Sequence, residues 1–120
     1  MLNLDTHILL HALDGNLSAA EQRLLAGEAW GISAIVIWEI AKLHQLGRIT
    51  VDPGDADFSR VLTRVYVWPL NVEICRMSTK LDFVSDPADE LIAATSIVHR
   101  ARLVTRDRKL RGSKLVPIAR

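Results

Sequence analysis

Residues 1–13 read MLNLDTHILLHAL. The opening MLNL is apolar enough for a short buried strand, Asp5 closes it, and THILLHAL (6–13) reads as a short helix that DGN stops. Strand, acid, helix is a unit from which parallel sheets are built. The same alternation runs outward along the chain. SAAE (18–21) forms a capping box, in which Ser18 accepts from the backbone while Glu21 reaches back, and Gly27 ends that helix. AWGI (29–32) is a second strand. Ser33 caps AIVIWEIAKLHQL, whose apolar residues recur at helical spacing until Gly47.

Asp52-Pro53 reads as the next helix start, with proline at the first helical position, and the helix runs to about Tyr66. VWPL (67–70) is a strand, and Asn71 caps a helix to about Phe83. Asp86-Pro87 opens a further helix, ADELIAATSIVHR. RLVT (102–105) is a strand followed by RDRKLRG, and LVPIA (115–119) closes the sheet. The expected architecture is α/β: a central parallel sheet with helices on both faces, in a single domain over residues 1–120.

Composition narrows the classes. At 120 residues and 49% apolar, the chain buries a core and is not disordered. No run of about 18 apolar residues offers a membrane span, and MLNLDTHILL lacks the basic start of a signal peptide. Cys75 stands alone, which excludes an internal disulfide or a thiolate metal cluster and fits a reducing cytoplasm. The net charge of +1 hides an asymmetry: residues 100–120 hold eight basic side chains against Asp107, a net +7. Such a segment suits either a phosphate-bearing partner or plain solvation.

In open parallel sheets, ligands bind outside the carboxyl ends of the strands. Asp5 follows the first strand and Asp107 follows RLVT, so both belong to one edge. Glu39 lies in the apolar IVIWEIAKL, where a carboxylate is costly to bury unless paired or metal-bound; a solvent stripe on an amphipathic helix is the plainer reading. In DPADE (86–90), Asp86 reads as the N-cap and Asp89 as a first-turn acid that favours the helix dipole. DPGD (52–55) shows the same spelling as punctuation. The apolar sequel ELIAATSIV makes the second helix largely buried, which turns Asp89 toward the sheet edge. Glu90, about 100° further round, flanks the site or faces water.

LDTHILLHAL (4–13), ISAIVIWEIAKLHQLGRI (32–49), DPADELIAATSI (86–97), LVTRD (103–107) and the closing LVPI (115–118) together resemble the PIN-domain family, and within it the VapC-like ribonuclease toxins. The resemblance implies a three-layer α/β/α sandwich and an acidic quartet at Asp5, Glu39, Asp89 and Asp107. It makes Thr6 and Thr105 supporting hydroxyls. It also implies a metal-dependent endoribonuclease, an antitoxin partner, a homodimer and an RNA substrate, with tRNA a frequent class. The family commonly has Arg after the third acid, and Glu90 departs from that. Four converging carboxylates repel one another unless a hard cation such as Mg²⁺ or Mn²⁺ sits among them. Arg106, Arg108 and Lys109 are the candidate phosphate contacts beside Asp107.

Two other classes compete with this reading. A receiver-like phosphoacceptor needs paired acids after its first strand, and here Asp5 stands alone. A non-catalytic RNA- or partner-binding module predicts a missing acid, and all four are present. His7 and His11 have a zinc-like spacing without the HExxH motif, and chance accounts for it. His44 and His99 show no partner. Trp30, Trp38 and Trp68 read as core or interface rather than base platforms, and Cys75 as a packed small residue.

Overall fold

The computed structural model describes residues 1–120. In chain order the elements are β1 (Leu2–Leu4), α1 (Thr6–Asp14), α2 (Ala19–Ala26), β2 (Trp30–Ser33), α3 (Ala34–Gln45), α4 (Ala56–Leu62), β3 (Tyr66–Trp68), α5 (Val72–Met77), α6 (Pro87–His99), β4 (Arg102–Val104) and α7 (Arg108–Arg111). The four strands form one parallel sheet in the order β3-β2-β1-β4. That order differs from the 2-1-3-4-5 of the receiver-type doubly wound sheet, which removes the phosphoacceptor reading. Because every strand runs the same way, Leu4, Ser33, Trp68 and Val104 end at one edge, and the segments that follow begin there.

Strands covered on both faces read as continuous apolar runs. Leu2, Leu4, Ile32 and Leu103 are accordingly fully buried, and Ile8, Leu9, Val36, Ile40 and Ile92 pack on them from the helices. Asn3 and Ser33 are polar yet fully buried. The Asn3 side-chain amide donates to Ile92 O at 3.1 Å and Ser96 Oγ at 2.9 Å, which ties β1 to α6. Six residues of α6 are buried, as the apolar ELIAATSIV implied. No helix is long and apolar enough to cross a membrane.

Several local expectations change. Asp52-Pro53 does not start a helix: Asp52 Oδ1 accepts from Gly54 N at 2.8 Å in a turn, and Asp55 is the residue that precedes α4. The short turn satisfies Asp52 locally, as an Asx turn does. The helix that Asn71 caps stops at Met77, where the Ser78 and Thr79 hydroxyls fold back onto the Cys75 and Arg76 carbonyls. VWPL pairs only as far as Trp68, since Pro69 has no N–H to offer the ladder. LVPIA does not form a strand. It meets β4 at one parallel bridge, Leu103 to Ile118, with Leu103 N donating to Pro117 O and Ala119 N to Leu103 O. Cys75 is exposed rather than packed, and Trp38 is 55% exposed. His44 Nε2 lies 3.7 Å from Asp52, and His99 stacks on Trp68 with ring centroids 5.4 Å apart.

Gly31 explains how that stack sits against the sheet. A Cβ there would lie 2.6 Å from two ring carbons of Trp68 and 3.1 Å from Met1 Sδ. Gly31→Ala is therefore expected to destabilise the fold by about 1–3 kcal/mol, as overpacking does. Urea denaturation measures it, and an unchanged midpoint would mean that the indole swings aside freely.

Candidate functional site

Asp5 is the N-cap of α1 and is 5% exposed. Its Oδ1 accepts from Thr6 N at 2.8 Å, and its Oδ2 accepts from the Thr105 hydroxyl at 2.6 Å. Asp107 occupies the equivalent place after β4. It caps α7, accepting on Oδ1 from Lys109 N at 2.8 Å and Leu110 N at 3.2 Å. Both acids thus satisfy orphan N–H groups of a helix that starts where a strand stops. Thr105 joins them, since its Oγ1 also accepts from Asp107 N at 3.0 Å.

Glu39 reaches the same edge from α3. It is partly buried, and the Thr6 hydroxyl donates to its Oε1. The solvent-stripe reading of Glu39 therefore gives way: Trp38, one residue earlier, is the one turned outward. Asp89 completes the group from the first turn of α6. Burial pushes its carboxyl up to about 6, the negative charge of Asp5 adds to this, Glu39 and Asp107 contribute further, and the Ser85 hydroxyl opposes it. Burial likewise raises Asp5, against the pull of its Thr105 and Thr6 hydrogen bonds, while Asp107 adds a small push upward. All three other acids act on Asp89, so the quartet is one electrostatic unit.

As they stand, no three Asp, Glu, His or Cys side chains close on a common point at metal-binding distance. The donor set nonetheless suits a hard divalent cation: it is oxygen only, it is crowded with like charge, and one oxygen each of Glu39, Asp89 and Asp107 accepts no hydrogen bond from the protein. Such an ion would require these side chains to close further on one another.

A polar groove of about 510 Å³ opens beside these acids, lined by Ser85, Asp86, Asp89, Asp107, Arg108 and Lys109 together with Val84. Three features of it were not expected. Asp86 stands at the N-cap position of α6 but makes no side-chain cap bond, so its exposed carboxylate faces the groove. The reaching back is done by the next two acids, both onto Ser85: Asp89 Oδ2 accepts from its hydroxyl at 3.1 Å and Glu90 Oε2 from its N–H at 3.2 Å. Ser85 itself carried no signal, since one serine before an Asp-Pro is ordinary loop composition.

The basic segment divides. Arg106 is engaged elsewhere: its guanidinium donates to both oxygens of Glu21, at 2.8 and 2.7 Å, and to Asn16 O at 3.1 Å. That fork holds the Glu21 carboxyl down at about 2. Lys109 Nζ donates to Val84 O at 3.2 Å across the groove, whereas the Arg108 side chain is exposed and makes no hydrogen bond or ion pair.

Fold and site together define a parallel α/β domain that gathers acids at the carboxyl edge of its sheet. A family model described as PIN domain matches residues 3–112, and the chain belongs to the PIN-domain family. Among curated proteins, Ribonuclease VapC22 of Mycobacterium tuberculosis is 32% identical over 99 residues, spanning 80% of this chain and 76% of that one. Among solved structures, VapBC2 from Rickettsia felis bound to a promoter DNA fragment matches with a TM-score of 0.74 at 18% identity, over 99% of this chain and 98% of the other. VapBC-1 from nontypeable Haemophilus influenzae matches with a TM-score of 0.65 at 23% identity, over 92% and 90%. At those identities the two structures speak for the fold alone.

The raised pKa of Asp89 fixes a sign. The folded chain holds this proton more tightly than the unfolded one, so the contribution favours folding at low pH and is lost as pH rises from about 4 through about 6. Asp89→Asn, without added metal, is expected to gain on the order of 1–2 kcal/mol over wild type at pH 7.5 and almost nothing at pH 4, after discounting for partial exposure. Urea denaturation of both proteins at the two pH values measures it.

Proposed function

We propose that this chain is a divalent-metal-dependent endoribonuclease that serves as the toxin of a toxin–antitoxin pair. The observation that carries the reading is the convergence of Asp5, Glu39, Asp89 and Asp107 from four separate segments onto one edge, where burial first and then the charges of the other three acids lift Asp89 to about 6. The 32% identity to a protein named as a ribonuclease supplies the reaction class. The names of the structural neighbours supply the idea of a protein partner.

Asp5, Glu39, Asp89 and Asp107 would hold Mg²⁺ or Mn²⁺. When bound, the ion supplies activation of water and charge compensation at the phosphate during in-line displacement. The chain's own part is preorganisation. Thr6 N–H and the Thr105 hydroxyl hold Asp5 before any ligand arrives, and the Thr6 hydroxyl orients Glu39. Arg108 and Lys109 would contact RNA phosphates beside Asp107 and set the register of the strand. Arg106 is spared that role by its ion pair with Glu21. Cleavage leaves a 5′-phosphate and a 3′-hydroxyl. An antitoxin protein would bind the chain and silence it, the working form would be a homodimer, and structured RNA such as tRNA is the substrate class we favour.

Purified protein incubated with RNA is expected to cleave in Mg²⁺ and not in EDTA, and Asp5→Asn should lose at least about 100-fold in rate, the scale of removing a preorganised electrostatic group. Cleavage that survives both EDTA and Asp5→Asn would sink the metal mechanism. Binding of RNA without any cleavage would point instead to a binding module. Arg108→Ala should weaken RNA binding evenly across sequences and lower the salt slope by about one. Filter binding at several salt concentrations checks this.

A further inference from the structure

The groove beside the acids has one wall whose construction the reaction does not explain. Residues between α5 and α6 form no regular element, yet they are pinned repeatedly. Asp82 accepts from the Ser113 hydroxyl at 2.6 Å and from Lys114 N at 2.8 Å. Val84 O accepts from Lys109 Nζ at 3.2 Å. Ser85 then meets both first-turn acids of α6, its N–H donating to Glu90 and its hydroxyl to Asp89. The contacts run from the basic C-terminal segment through the loop to one oxygen of one member of the acidic quartet.

We propose that Ser85 is a positioning residue for Asp89, with Glu90 fixing the serine backbone so that its hydroxyl engages Asp89 Oδ2 and leaves Oδ1 to act. The proposal rests on the reading of Asp89 as a metal-binding acid. Its physical basis is simple. An aspartate on the first turn of a helix has more than one side-chain rotamer open to it, and repulsion from Asp5, Glu39 and Asp107 favours those that point away from the site. The Ser85 hydroxyl is the hydrogen-bond donor that holds it, and that donor is fixed because the loop behind it is fixed. Outer-shell partners of this kind typically account for about 10–100-fold in metal affinity. Glu90 acquires a purpose here as well. Its carboxylate turns to the Ser85 N–H, so the acid at this position is a brace for the loop.

The test uses the whole chain and Mn²⁺ as probe, with affinity read by calorimetry, cleavage by single turnover and folding by thermal melting. Ser85→Ala should weaken Mn²⁺ binding about tenfold without moving the melting point of the metal-free protein by more than a degree or two. Excess Mn²⁺ should restore its cleavage rate, and Ser85→Thr, which keeps the hydroxyl, should bind as wild type. On an Asp89→Asn background, Ser85→Ala should cause no further loss. If Ser85→Ala binds Mn²⁺ as wild type while Asp89→Asn does not, Ser85 positions nothing and the nuclease reading stands. If Asp89→Asn binds and cleaves as wild type, that reading of the site fails and this proposal fails with it. A tenfold loss in Ser85→Thr equal to that in Ser85→Ala would also overturn it, because the hydroxyl would then be irrelevant.

Discussion

The hydrogen bond from the Thr105 hydroxyl to Asp5 spans 100 positions of chain in 2.6 Å. Three of the four acids at the site are tied to it, Asp5 directly, Asp107 through Thr105 and Glu39 through Thr6. The carboxylate it holds also caps α1, ends β1 and lies almost wholly out of water. The hydroxyl that holds it also accepts the N–H of Asp107, and so sets where α7 begins. Two adjacent strands are thereby locked at their carboxyl ends by the same groups that present the acids. A buried carboxylate without such donors would carry the full cost of desolvation. With both oxygens satisfied it becomes a fixed point, and Thr6 extends the network to Glu39 through its own hydroxyl.

That fixed point imposes a cost on its neighbours. Asp89 sits where desolvation and three like charges act together, and its carboxyl is held well above the usual carboxylate range. A sequence optimised for folding alone would place a neutral side chain there. Local rules of good packing and charge placement are broken most readily where a ligand is expected to repair them. No basic side chain lies among the hydrogen-bond or ion-pair partners of Asp89, and the Ser85 hydroxyl is the one donor the chain offers it.

Much of this was legible in the residues. The strand–acid–helix unit at residues 1–13 recurs, and the parallel sheet and the shared edge of Asp5 and Asp107 follow from it, while the apolar run ELIAATSIV marks the burial of α6. Glu39 was ambiguous because helical periodicity alone does not say which face of α3 turns inward; the Thr6 hydroxyl decides it. Boundaries failed where a side chain competes with the backbone. Asp52 closes its own turn, and the hydroxyls of Ser78 and Thr79 end a helix that composition would have continued. Ser85 escaped notice for a different reason. Its importance lies in what the tertiary structure brings to it, and nothing in the run VSDPADE marks one polar loop residue above another.

The pair between Arg106 and Glu21 has a consequence for how the basic segment would look in a charge-reversal screen. Glu21 belongs to the capping box that begins α2, and Arg106 lies between the two residues that anchor the acids, Thr105 and Asp107. Changing Arg106 would loosen a surface helix and shift the two neighbours that organise the site. The phenotype would copy that of a lost ligand contact although the guanidinium is held by Glu21 and Asn16 and does not line the acidic groove. Neighbouring positions in a short basic run can therefore give the same loss of function for opposite reasons, one through the ligand and one through the scaffold.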